Sequence, residues 1–147
     1  MKVSLVWSSP RPDMTVAVAM RRCYSTKTIE EIEAELEQKG AEYWKYLLSK
    51  AMQDKSLDVL EHFTMSLEVE GMPAADAGAL AIRFPFLRMS DLGGGAWLVT
   101  LNARTLVELW RDARAKQFAG AVVAELDGKN VCPVLSGLAF GGKANAG

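Results

Sequence analysis

Hydrophobic residues recur along this chain at two different periods, and the changes of period mark out its elements. From Phe63 to Glu70 the alternation is strict, with Phe63, Met65, Leu67 and Val69 set against Thr64, Ser66, Glu68 and Glu70, the period of two that a half-buried strand requires. Val3 to Trp7 reads as a short opening strand, closed by Ser8-Ser9-Pro10-Arg11-Pro12, where two prolines forbid its continuation. Trp97 to Leu101 gives another short strand after the linker Gly93-Gly94-Gly95.

Elsewhere the spacing is helical. Val16, Ala19, Met20 and Cys23 fall at i, i+3, i+4 and i+7 behind Asp13 as a cap, which predicts a first helix with Cys23 in the core. Thr28 followed by Glu31 is a capping box, opening a helix with Ile29, Ile32 and Leu36 inward and an acidic outer face. Gly40 separates it from a third helix carrying Trp44, Leu47, Leu48 and Ala51, so the two form a helical hairpin. Pro73 suits the first turn of a small-residue helix, Ala74 to Ile82, stopped by Pro85. Asn102 caps a further helix with Leu106, Leu109, Trp110 and Ala113 inward. Residues 118–135 stay open between two readings, because Ala121-Val122-Val123-Ala124 extends a helix while Asp127-Gly128 between apolar runs is a hairpin signal. Residues 138–147 read as a small-residue tail that frays, leaving 1–137 as a single domain.

Composition narrows the function without naming it. The 147 residues are 50% apolar, enough for one core without disulfides. With 17 basic and 18 acidic residues the net charge is -1, and no electrostatic argument favours nucleic acid or an anionic membrane. Two cysteines without a signal-peptide pattern fit reduced core residues in a cytoplasmic protein. One histidine and two distant cysteines offer no metal-ligand spacing, so no metal is expected. His62 reads as a structural donor at a strand edge rather than as a base, and Cys23 and Cys132 as inert thiols.

Four short segments, in order, carry a resemblance. Val59-Leu60-Glu61-His62 opens the alternating strand that ends in Glu70-Gly71, and Asn102-Ala103-Arg104-Thr105-Leu106 opens a helix. Arg22-Cys23-Tyr24-Ser25 follows the first helix, and Cys132-Pro133 lies near the end. Together they resemble the flavin-dependent thymidylate synthases. That resemblance implies an α+β fold, helices packed on a small sheet, and it favours a helix in the open stretch 118–135. It implies FAD as cofactor, a dUMP-like pyrimidine nucleotide as ligand, and a homo-oligomer, a tetramer with the flavin shared between chains. The helix from Ala74 to Ile82 would suit a buried subunit contact.

Residue by residue, the family's flavin positions fall on Asn102, Arg104 and Glu108, with Arg83 the one arginine kept from an Arg-His-Arg signature that here reads Ile82-Arg83-Phe84. Leu92 stands where the family has a serine, which makes Arg88 and Ser90 shifted substrate-binding candidates, with Arg111 and Arg114 beside the family's nucleotide-binding arginine position at Ala113. A further family histidine near the flavin falls on Ser56. Read without the resemblance, Asn102 and Arg104 are an N-cap and a surface arginine, and Arg83 and Arg88 are solvated charges flanking an apolar turn. A carboxylate at Glu108 repels phosphate. The chain is thus expected to be a shortened, divergent flavin- or nucleotide-binding member with an altered one-carbon or redox reaction, or a non-catalytic paralogue that serves as a binding or assembly module.

Overall fold

The computed structural model describes residues 1–141. Its frame is a four-stranded antiparallel sheet in the order β1-β2-β4-β3, built from β1 (Lys2–Ser8), β2 (Thr64–Glu70), β3 (Arg88–Gly93) and β4 (Ala96–Asn102). Register follows the alternation: Leu5 pairs with Leu67, Leu67 with Val99, and Met89 with Val99, which puts the apolar side chains of all four strands on one face. Phe63, Met65, Leu67 and Val69 are fully buried there. The opposite face carries Ser4, Ser66, Glu68, Thr100, Arg88 and Ser90, and a hydroxyl pair bridges β2 and β4 between Ser66 and Thr100 at 2.9 Å. β1 is an edge strand with a bulge between Leu5 and Trp7, where the Leu5 N–H donates to Glu125 Oε1 at 2.7 Å.

Seven helices are present among the described residues: α1 (Pro12–Arg22), α2 (Ile29–Lys39), α3 (Ala41–Gln53), α4 (Ala74–Arg83), α5 (Ala103–Arg111), α6 (Lys116–Gly128) and α7 (Pro133–Phe140). A 3₁₀ turn, Leu57–His62, leads into β2. The capping box of α2 forms as expected, with the Glu31 N–H on Thr28 Oγ1 at 3.3 Å and the Thr28 N–H on Glu31 Oε2 at 2.8 Å. Trp44 Nε1 donates to the Leu36 carbonyl at 2.8 Å and ties α3 to α2. The stretch left open between helix and hairpin, 118–135, is helical to Gly128 as α6 and, after a turn, enters α7 at Pro133.

Several expectations are overturned. Asp13 does not cap its own helix. That N-cap is Arg11 in a left-handed conformation (φ 46°), and the Asp13 carboxylate, 6% exposed, accepts the N–H groups of Val134 and Leu135 at 2.9 Å each. It therefore caps α7, whose own N-cap residue Cys132 offers no side-chain bond. Burial raises the pKa of Asp13, against the lowering by those two N–H groups. Cys23 is exposed because α1 ends one residue earlier, at Arg22. Ile29 sits in the first turn of α2 and is 44% exposed. α5 stops at Arg111, leaving Ala113 exposed in the turn before α6. The glycine run is the tip of a β3–β4 hairpin, with φ of 83°, 63° and 79° at Gly93, Gly94 and Gly95. Residues bearing a Cβ adopt that left-handed region only at a cost. Of the predicted tail, 138–140 belong to α7, and residues beyond 141 lie outside the described part.

Candidate functional site

α5 runs back from the end of β4, and several of the sequence-predicted residues lie on it or near its two ends. At its start, Asn102 caps the helix through Oδ1, which accepts the Thr105 N–H at 2.8 Å. Arg104 is clasped by two carboxylates, with Nη1 on Glu61 Oε1 at 2.7 Å and Nε on Glu108 Oε1 at 3.2 Å. The Glu61 and Glu108 side chains are each about two-fifths exposed, so this is a surface cluster. Its charge is one guanidinium against two carboxylates, a balance unsuited to phosphate.

The other end of α5 lies eight residues on, about 12 Å along the axis. Here Arg83, the last residue of α4, pairs with Asp112 (Nη2 to Oδ2, 2.6 Å). Asp112 Oδ1 also accepts the Arg114 N–H at 2.8 Å. That backbone bond and then Arg83 hold the carboxyl below its ordinary pKa. Beside this pair opens a cleft of about 650 Å³ between α4 and the first turn of α6. Met72, Leu80, Phe84 and Phe118 supply apolar lining, and Asp76, Arg83 and Arg114 supply charge. The volume and the mixture of apolar surface with a few charged groups are those of a small-molecule site.

The remaining candidates belong to neither the Arg104 cluster nor the lining of the cleft. Arg88 and Ser90 are exposed on the edge strand β3, opposite Thr100 and Leu98, on the open face of the sheet. Arg111 is exposed and does not line the cleft, whereas Arg114 does. Of the eight candidates, Arg83 and Arg114 share this cleft. A second groove of about 450 Å³ lies between α1 and the 3₁₀ turn and is lined by Arg22, Cys23, Ile29, Asp58 and His62. His62 is exposed there, and its ring makes no hydrogen bond among the described residues, so the expected structural donor role is not seen. Only its carbonyl is used, accepting Ser9 Oγ at 3.3 Å. Cys132 is buried, and burial, followed by Asp13 and Asp127, pushes its thiol pKa upward, which keeps it protonated. Among the described residues no three His, Cys, Asp or Glu side chains converge as metal ligands.

Sequence reasoning missed Asp112, Asp76 and Phe118. Asp112 had a usable signal, an acidic residue just ahead of a helix, but the expected continuation of α5 through Ala113 concealed the break. Glu61 stood in a quoted motif without its partner being foreseeable, since Arg104 is 43 residues away.

The sequence model of the family described as thymidylate synthase complementing protein matches residues 4–80, just over half of the chain. The match ends shortly before Ile82-Arg83-Phe84, where the chain departs from the family pattern. No curated protein matches the chain in sequence. Among solved structures, a flavin-dependent thymidylate synthase ThyX from Helicobacter pylori, complexed with FAD and dUMP, superposes with a TM-score of 0.70 at 12% identity, covering 96% of this chain and 99% of that one. A second structure of Helicobacter pylori ThyX with FAD and dUMP gives 0.68 at 13% identity, covering 96% and 98%. At such identity the likeness speaks for the fold. It agrees with the α+β arrangement of helices on a small antiparallel sheet expected from the sequence.

Proposed function

The chain belongs to the thymidylate synthase complementing protein family, and from that premise we propose that it binds a flavin ring or a pyrimidine nucleotide base in the cleft between α4 and α6, as a divergent member with an altered one-carbon or redox reaction. The observation that carries this reading is the convergence of Arg83 and Arg114 on one apolar cleft of ligand size. The cleft's apolar lining includes the edges of the nearly buried Phe84 and Phe118, while Asp76 and Gln117 offer hydrogen-bonding groups for ring edges. A flavin held there would supply hydride or one-carbon transfer chemistry, and the chain's own share is to bind, orient and desolvate the ring.

Ala79 lines the cleft and is exposed, so Ala79→Trp fills it at little cost to the core. The purified protein should gain bound-flavin absorbance or quench flavin fluorescence on incubation with FAD. Ala79→Trp should weaken that binding at least tenfold without lowering Tm by more than about 2 °C. Arg104→Ala removes only solvent-screened surface ion pairs and should leave binding intact. Binding lost with Arg104→Ala and kept with Ala79→Trp would move the flavin to the start of α5 and overturn the cleft assignment.

A second reading, a non-catalytic assembly module, draws on a different observation. α4 buries only Ala77, leaving Ile82 88% exposed and the following Phe86 62% exposed, which would suit a contact with another subunit. A colourless protein that takes up no FAD yet associates, and dissociates on Ile82→Lys, would favour it.

A further inference from the structure

Asp76 is the one carboxylate among the described residues that line the cleft, set against the guanidinium groups of Arg83 and Arg114 and the terminal residue Met1. Arg83 is taken up by Asp112 at 2.6 Å. Asp76 sits exposed in the first turn of α4, and its carboxylate makes no hydrogen bond or ion pair among the described residues. α4 fixes how far it stands from the other charges. Arg83 lies seven residues on, about 10 Å along the axis, and its partner Asp112 accepts the Arg114 N–H at 2.8 Å. The free carboxylate thus stands at one end of the α4 wall, and the backbone that carries Arg114 is tied to the other end. Leu80, Phe84 and Phe118 make the lining apolar elsewhere.

The two ends differ in what they can hold, because an ionised carboxylate only accepts hydrogen bonds and a guanidinium only donates them. An oxidised isoalloxazine ring carries a single N–H, at N3 of its imide edge, and the uracil base of a nucleoside likewise carries one, also at N3. Every other polar atom of either ring accepts. The one ring donor therefore matches the one acceptor-only group of the cleft. Resting on the ring-binding reading of this cleft, we infer that Asp76 is its specificity-determining residue, accepting the imide N–H of the ligand ring, so that the site takes N–H heterocycles and turns away their N3-alkylated counterparts. A methyl group at N3 removes the donor and leaves the carboxylate without a partner once the ring has displaced its water.

The test is a fluorescence titration of the full chain with lumiflavin, which has the ring without the hydroxylated side chain, and with 3-methyllumiflavin, at fixed pH and salt. Wild type should bind lumiflavin at least about fivefold more tightly, as expected for a bond to a charged group that stays partly solvated. Asp76→Ala should bring the two affinities to within about twofold of each other by weakening lumiflavin alone. Asp76→Asn, whose side-chain oxygen still accepts, should keep part of the preference. Equal binding of the two flavins by wild type, or a preference that survives Asp76→Ala, would overturn the inference while leaving the ring-binding cleft standing, provided that Ala79→Trp weakens both flavins alike. Where lumiflavin does not bind, uridine against 3-methyluridine by calorimetry on the same proteins is read by the same criterion. Binding of neither kind of ring would overturn both the inference and the reading it rests on.

Discussion

Individual side chains in this protein are committed to partners far away in sequence, and that decides what each can do. Asp13 holds the start of α7 across 121 residues through two charge-assisted backbone bonds. Asp13→Ala should cost about 2–4 kcal/mol, from two lost bonds and the orphaned N–H groups, seen as a lower urea midpoint. Asp13→Asn, which keeps one acceptor, should cost less. Glu35 gathers Lys27, Lys39 and Arg21 around a carboxylate that is 11% exposed. The hydrogen bonds from Lys27 and then Lys39 lower its pKa to about 2 from the ordinary 4.5. A depressed carboxylate contributes stability above its unfolded pKa and loses it as pH falls toward the folded value. Stability should therefore decline between about pH 4.5 and 2, and Glu35→Gln should flatten that part of the urea-midpoint profile. An unchanged slope would show that the cluster contributes nothing. Apart from the i,i+4 pair Glu35–Lys39 within α2, these pairings were not legible in the sequence, because separation along the chain carries no signal of contact in space.

At the scale of elements the sequence is far more telling, for local reasons. The capping box at Thr28 and Glu31, the cap at Asn102 and the alternation through β2 all rest on interactions within a few residues, and all form as read. Leu67 sits fully buried in the central strand β2. Leu67→Ala should cost about 2–5 kcal/mol, measured by chemical denaturation. The strand β3 escaped because Arg88-Met89-Ser90-Asp91 has one apolar residue, half-buried, and an edge strand with one wet face needs no more. Its pairing with β4 comes from the hairpin turn, whose three left-handed glycines looked like a linker. α1 and α5 each end earlier than their apolar spacing suggests. The periodicity continues through Cys23 and Ala113, but the backbone turns away before them.

For the whole molecule, topology does what no motif reveals. β4 carries the chain to Asn102, and α5 returns it, so the arginines at the two ends of α5 belong to different surroundings. Arg104 lies in an acidic surface cluster, while Arg83 and Arg114 meet at the cleft. The resemblance correctly anticipated the family and the α+β fold, but the cleft is made by tertiary packing of Met72, Leu80, Phe84 and Phe118 from separate segments. That packing also explains how a chain lacking most of the family's arginine signature keeps a site of ligand size, because its walls are apolar. The most direct test of the account is a crystal of the protein soaked with riboflavin. Ring density between α4 and the first turn of α6, against Phe84 or Phe118, is the predicted result. Density beside Asn102 and Arg104 with the cleft empty would contradict it.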